Sequence, residues 1–114
     1  MPLQKILIIE DDDSLRRVME YNLSEEGYEV SVAKDGNEGL SIFSKGEFDL
    51  CITDLQMPGM DGMEVLRRIK GSSPDIPVII VTAFGTIERA VEGIKAGAYD
   101  FIAKPFGRDH LKLA

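Results

Sequence analysis

The chain has 114 residues, 44% hydrophobic and 29% charged, which fits one soluble globular domain and excludes a chain that stays disordered. Twenty acidic residues against thirteen basic ones leave a net charge of −7, which argues against gripping nucleic acid or an anionic membrane surface. The single cysteine, Cys51, excludes a disulfide framework and a cysteine-rich zinc site, and fits a reducing, cytoplasmic setting.

Residues 1–5 are too short and polar to form a signal peptide. The aliphatic run 6–9 reads as a strand buried on both faces and is followed by Glu10, Asp11, Asp12 and Asp13. Leu15, Val18, Met19 and Leu23 then follow the helical period, with Gly27 as the stop. Residues 28–32 alternate apolar and polar, as a half-exposed edge strand does. A short helix with Asn37 as its N-cap carries Leu40 and Phe43. Residues 50–52 form the next strand, with Asp54 just beyond it. A helix entered through Asp61 carries Met63, Leu66 and Ile69 and leaves through residues 71–74. The run 78–81 is a fourth strand, followed by Thr82 and Ala83. Ile87, Ala90, Val91 and Ile94 mark a helix between Thr86 as N-cap and Gly97 as C-cap. Residues 99–103 are a fifth strand, followed by Lys104 and Pro105. A last helix starts near Arg108 and holds only about two turns before Ala114.

Strict alternation of strand and helix implies right-handed crossovers and an α/β fold with a parallel sheet between two helical layers. A half-exposed second strand suits the order 2-1-3-4-5, which places the ligand crevice at the carboxyl ends of strands one and three. Glu10, Asp11 and Asp54 then converge there, with Thr82 and Lys104 beside them. Three carboxylates in one shallow site repel one another, and a hard divalent cation relieves that repulsion. Oxygen-only ligands with room for water suit Mg²⁺, or Mn²⁺, better than Zn²⁺. A carboxylate ringed by such a cation, a lysine and a hydroxyl is equipped for phosphoryl transfer, with Asp54 as nucleophile.

The acidic run, Asp54 with the stretch from Met57 to Gly62, the Thr82-Ala83 pair and the Lys104-Pro105 pair together resemble the receiver domain of bacterial two-component response regulators. The match covers nearly the whole chain. The resemblance implies a flavodoxin-like (βα)5 domain over residues 1–114 that accepts a phosphoryl group from a sensor histidine kinase or phosphotransfer protein. It implies Asp54 as phosphoacceptor, Asp11 and Glu10 as metal-side carboxylates, and the main-chain carbonyl of Gln56 as a metal ligand. It implies Thr82 and Lys104 as contacts to the phosphoryl group, a cis Lys104–Pro105 bond, and Phe101 as the switch aromatic. The stretch 83–106 is similar to receivers of enhancer-binding transcriptional activators. Glu10 departs from the more common Asp, Phe101 lacks a tyrosine hydroxyl, and Phe84 cannot position water by hydrogen bonding.

The truncated last helix suggests the N-terminal part of a longer regulator whose output domain follows, or a homodimer formed over the uncovered strip. Asp12 and Asp13 read as helix-capping acids, Met57 and Met60 as loop packing, Cys51 as a small buried hydrophobe and His110 as a surface residue. Two enzyme readings and a cofactor-binding one fit less well. A phosphatase of the haloacid-dehalogenase type needs a second Asp where Gln56 stands, a flavodoxin proper needs a hydroxyl-rich loop where the four acids stand, and a P-loop is missing.

Overall fold

Aliphatic runs buried on both sides need a covering layer on each. The computed structural model describes residues 4–55, 57, 59–82 and 87–103 and supplies both layers. In chain order the elements are β1 (Lys5–Ile9), α1 (Asp13–Glu25), β2 (Glu29–Ala33), α2 (Gly36–Lys45), β3 (Leu50–Asp54), α3 (Gly62–Ser72), β4 (Val78–Thr82), α4 (Ile87–Lys95) and β5 (Asp100–Ala103). The five strands pair in parallel in the order β2-β1-β3-β4-β5, as the flavodoxin-like reading requires. The last helix expected near Arg108, with His110, lies outside the described residues, as does Thr86.

Successive side chains of a strand point to opposite faces. Ile6 and Ile8 of β1 therefore join Ile52, Ile79 and Val81 on one face, under Met19 and Leu23 of α1. Leu7 and Ile9 join Cys51, Val78 and Ile80 on the other, under Val65, Leu66 and Ile69 of α3, with Leu40 and Phe43 of α2 packed alongside. Each fully buried large aliphatic contributes about 1.5–3 kcal/mol.

Helix ends are set by single residues. The Asp12 carboxylate accepts from the Leu15 amide at 3.0 Å, and that of Asp61 accepts from Met63 and Glu64 at 3.0 and 3.1 Å. At their other ends α1 and α4 stop alike. Gly27 and Gly97 take φ of 98° and 114°, and the next amides, Tyr28 and Ala98, reach back to the carbonyls of Leu23 and Gly93. Side chains with a Cβ are strained there.

Several expectations need correction. The N-cap of α2 is Asp35, not Asn37. The Asp35 carboxylate accepts from the Glu38 amide at 2.8 Å, while the Glu38 carboxylate accepts from the amide of Lys34, the residue before the cap, at 3.1 Å; Asn37, two positions later, lies inside the helix. β3 continues through Asp54, beyond the apolar run 50–52, because its ladder to β4 persists to the Asp54–Val81 pair. β2 and β5 begin one residue later than expected, leaving Tyr99 75% exposed. Val18, Val91 and Ile94 share the helical period but are 51%, 43% and 40% exposed. The buried line of α1 is Met19 and Leu23, with Leu15 packed alongside, an i, i+4 spacing that leaves Val18 off to one side. α4 approaches the sheet through Gly93, where a Cβ would come within 2.1 Å of Ile80 Cδ1.

The tightest backbone approach lies at the start of α3. A Cβ on Gly62 would sit 2.0 Å from the Asp54 carbonyl oxygen and 2.7 Å from Leu55 Cα. Both are main-chain atoms of β3 and the residue after it, so they cannot yield as a side-chain tip can. Gly62→Ala should therefore lower stability by about 1–3 kcal/mol. Gly71, in the same helix with nothing within 4 Å of a Cβ, should gain up to about 0.5 kcal/mol as Ala. Urea unfolding of both variants checks the pair, and a neutral Gly62→Ala would contradict the packing.

Burial pushes the Cys51 thiol up from 9.0 to about 12. Below pH 9 folded and unfolded chains both keep the proton. Between 9.0 and about 12 only the unfolded chain releases it, so stability should fall as pH rises through that window. The alkaline loss measured by chemical denaturation should shrink in Cys51→Ala, and the native thiol should react with thiol reagents only at the rate of unfolding.

Candidate functional site

The site starts where β1 ends. Ile9 pairs with Ala33 on one side and Thr53 on the other. The Glu10 amide then donates to the Ala33 carbonyl at 3.0 Å, carrying the ladder one residue further and leaving Glu10 only 1% exposed. The Glu10 carboxylate accepts from the Asp12 amide at 3.0 Å through Oε2. Its main-chain carbonyl accepts from Arg16 Nη1 at 2.9 Å. The other arm of Arg16 donates to Asp13 Oδ1, and the guanidinium holds the Asp13 carboxyl below the usual carboxylate range. The four consecutive acids thus divide. Asp12 and Asp13 serve the helix, as expected of capping acids, while Glu10 and the exposed Asp11 precede it at the sheet rim.

Asp54 arrives from β3. It is 3% exposed, and pairing continues past it. The Leu55 amide donates to the Val81 carbonyl at 3.0 Å, and the Gly62 amide donates to the Leu55 carbonyl at 2.9 Å. The chain beyond Asp54 is thereby folded back onto its own strand. Met57 is buried and Met60 packs on the core, so both methionines act as loop packing.

One carboxylate oxygen from each of Glu10, Asp11 and Asp54 lies within 4.8 Å of the others. Two of these residues are buried and one faces solvent. Like charges so close repel one another. An oxygen-only set with one solvent-facing member suits a small hard divalent cation that keeps part of its water shell. The donor set therefore fits Mg²⁺ or Mn²⁺.

Other expected site residues are placed less fully. The Thr82 main chain is on the same rim, one residue beyond the Asp54–Val81 pair and opposite Ala103, while its side chain is outside the described residues. Gln56, Ala83, Phe84, Lys104 and Pro105 are outside them too. Lys104 follows Ala103, the last residue of β5, in the chain. Phe101 sits opposite Ile80 on β5, half-buried against the α3-side core, three residues before Lys104. One residue that shapes the site went unnoticed in the sequence, Arg16, while Gly62 was read only as part of the stretch after Asp54. The Asp13–Arg16 spacing of three signals an ion pair on a helix, but the bond to the Glu10 carbonyl depends on the turn before the helix. A groove of about 640 Å³ between Phe43, Phe48, Arg68 and Ile76 lies near the opposite ends of α2 and α3 and does not touch the trio.

The comparisons agree with this geometry. The chain is 43% identical over 106 residues to the C4-dicarboxylate transport transcriptional regulatory protein DctD of Rhizobium meliloti, covering 93% of this chain but only 23% of that protein. A receiver domain protein of Clostridium thermocellum superposes with a TM-score of 0.91 at 37% identity, over 96% of this chain and 88% of that one. NtrX of Brucella abortus superposes with a TM-score of 0.92 at 36% identity, over 96% of this chain and 25% of that one. The sheet order, the carboxylate rim and a match of residues 6–114 to the response regulator receiver domain lead to one conclusion: this chain belongs to that family.

Proposed function

We propose that the chain is a phosphorylation-controlled switch rather than a turnover enzyme, and that Asp54 carries the phosphoryl group. The observation that supports this most is the meeting of the Glu10, Asp11 and Asp54 carboxylates within 4.8 Å at the topological switch point of a parallel sheet. Glu10, Asp11 and Asp54, with the main-chain carbonyl of Gln56, would hold Mg²⁺ or Mn²⁺. Such an ion neutralises charge on the phosphoryl oxygens and on the carboxylates around it.

Asp54 is the nucleophile. One carboxylate oxygen bonds to phosphorus as the bond to the donor's nitrogen breaks, leaving an acyl phosphate that water later cleaves. The donor is a sensor histidine kinase or a phosphotransfer protein. Thr82 donates a hydrogen bond to the phosphoryl group, and the Lys104 ammonium balances its charge. Thr82 moving inward draws the segment after β4 with it, and Phe101 repacks toward the space left. That alters the face made by α4, β5 and the residues after them, a local charge event biasing a two-state element. The receiver passes this change to an output domain that controls transcription, in keeping with a relative of which the chain spans only 23%. The cytoplasm is the setting that such a pathway requires.

Incubation with a small phosphodonor and Mg²⁺ should add the mass of one phosphoryl group. Asp54→Asn should take up none while keeping its fold by circular dichroism. Chelating the metal should slow uptake at least about tenfold, the factor corresponding to about 1.4 kcal/mol of transition-state stabilisation. Wild-type uptake in Asp54→Asn would overturn the assignment.

A further inference from the structure

Arg16 lies on the first turn of α1 and has no part in the proposed transfer. Its side chain is 17% exposed, low for an arginine. Its fork is committed to the Glu10 main-chain carbonyl and to Asp13, one partner before Asp11 in the chain and one after it. Neither partner is a carboxylate of the trio. A guanidinium close to four consecutive acids is attracted to all of them, yet this one grips the turn that carries Asp11.

That turn has other ties as well. The Glu10 amide is held by Ala33 and the Glu10 carboxylate by the Asp12 amide. The Glu10 carbonyl is where Arg16 adds its bond. Mutual repulsion among the trio pushes the turn away from Asp54, and each tether opposes that push.

We propose that Arg16 is a positioning residue that fixes the β1–α1 turn so that Glu10 and Asp11 face Asp54, and that it raises divalent-cation affinity through that geometry and against its own charge. This rests on the reading of the trio as a cation site. The sign of the effect separates the two contributions. A nearby positive charge repels a cation, so removing it strengthens binding if charge is what matters. Removing a tether weakens binding. Lysine keeps the charge but lacks the two-armed planar fork.

The test is Mn²⁺ binding followed by electron paramagnetic resonance of the free ion, with Mg²⁺ binding by calorimetry. Wild type, Arg16→Gln, Arg16→Lys and Asp11→Asn are compared, each at a temperature where circular dichroism shows it folded. Arg16→Gln should bind about tenfold more weakly, the scale found when groups that orient metal ligands are removed. Arg16→Lys should be weakened in the same direction by a smaller factor, and Asp11→Asn should lose binding. Equal or tighter binding in Arg16→Gln overturns the proposal. Wild-type affinity in Arg16→Lys also overturns it, because the two-armed fork is then not what holds the turn. Failure of the wild type to bind either ion overturns the cation-site reading itself, and the proposal with it.

Discussion

The arrangement depends on one unfavourable contact, two nearly buried carboxylates and a third at the surface within 4.8 Å of one another. Unrelieved, such a cluster works against folding. The chain accommodates it because the carboxylates are delivered by main-chain pairing, which their charge cannot readily undo. Glu10 extends the β1 ladder by its amide bond to Ala33. Asp54 lies inside the β3–β4 ladder, paired with Val81 and followed by the Leu55–Val81 bond. The strands in turn are fixed by the layers of isoleucine, leucine and valine beneath α1 and α3. Repulsion at the rim is thus opposed by burial in the core.

The same logic explains where the helices begin. Asp12 and Asp61 cap α1 and α3, and each lies in the segment leaving a strand that supplies a site carboxylate. A cap fixes the direction of the chain over a few residues. Gly62 completes the turn after Asp54 by letting the first residue of α3 lie against the β3 main chain. The carboxylate end of β3 is therefore gripped from the α3 side as firmly as from β4.

Much of this was legible in the sequence because the aliphatic runs and the acids are of opposite character and adjacent. Apolar runs named the strands, their alternation with helices named a parallel sheet, the half-exposed second strand suited its order, and the order put Glu10, Asp11 and Asp54 on one rim. What escaped has a common cause. Periodicity reports chemical type and not distance of approach. Val91 and Ile94 share the period of α4, yet the helix meets the sheet through Gly93, whose lack of a side chain gives no apolar signal. The apolar run of β3 ends at Ile52, but its hydrogen bonding does not, since Thr53 is buried with its hydroxyl on the Asp54 carbonyl at 3.1 Å. Asn37 is a good capping residue in isolation, but Asp35 has Glu38 three positions on, whose amide it accepts from and whose carboxylate holds the Lys34 amide just before the cap. Arg16 was hidden because its partner is a backbone oxygen, which sequence does not distinguish from any other.

Uneven packing among the helices bears on how a signal would leave the rim. α3 buries Met63, Val65, Leu66 and Ile69. Among the described side chains of α4 only Gly93 is buried, with Val91 and Ile94 more than a third exposed. Displacing α3 would expose several large aliphatics at about 1.5–3 kcal/mol each. Displacing α4 would expose less apolar surface from its described side chains. Its C-terminal turn is nevertheless well defined, with Gly97 in a left-handed cap and the Tyr99 amide bonded to the Val78 carbonyl at 2.8 Å. Phe101 sits on the strand that follows that anchor, opposite Ile80, the residue that Gly93 covers. In the proposed switch, the segment after β4 leads into α4, and Ile80 is the strand residue that adjoins both Gly93 and Phe101, so a change in the packing of either is felt by the other through it.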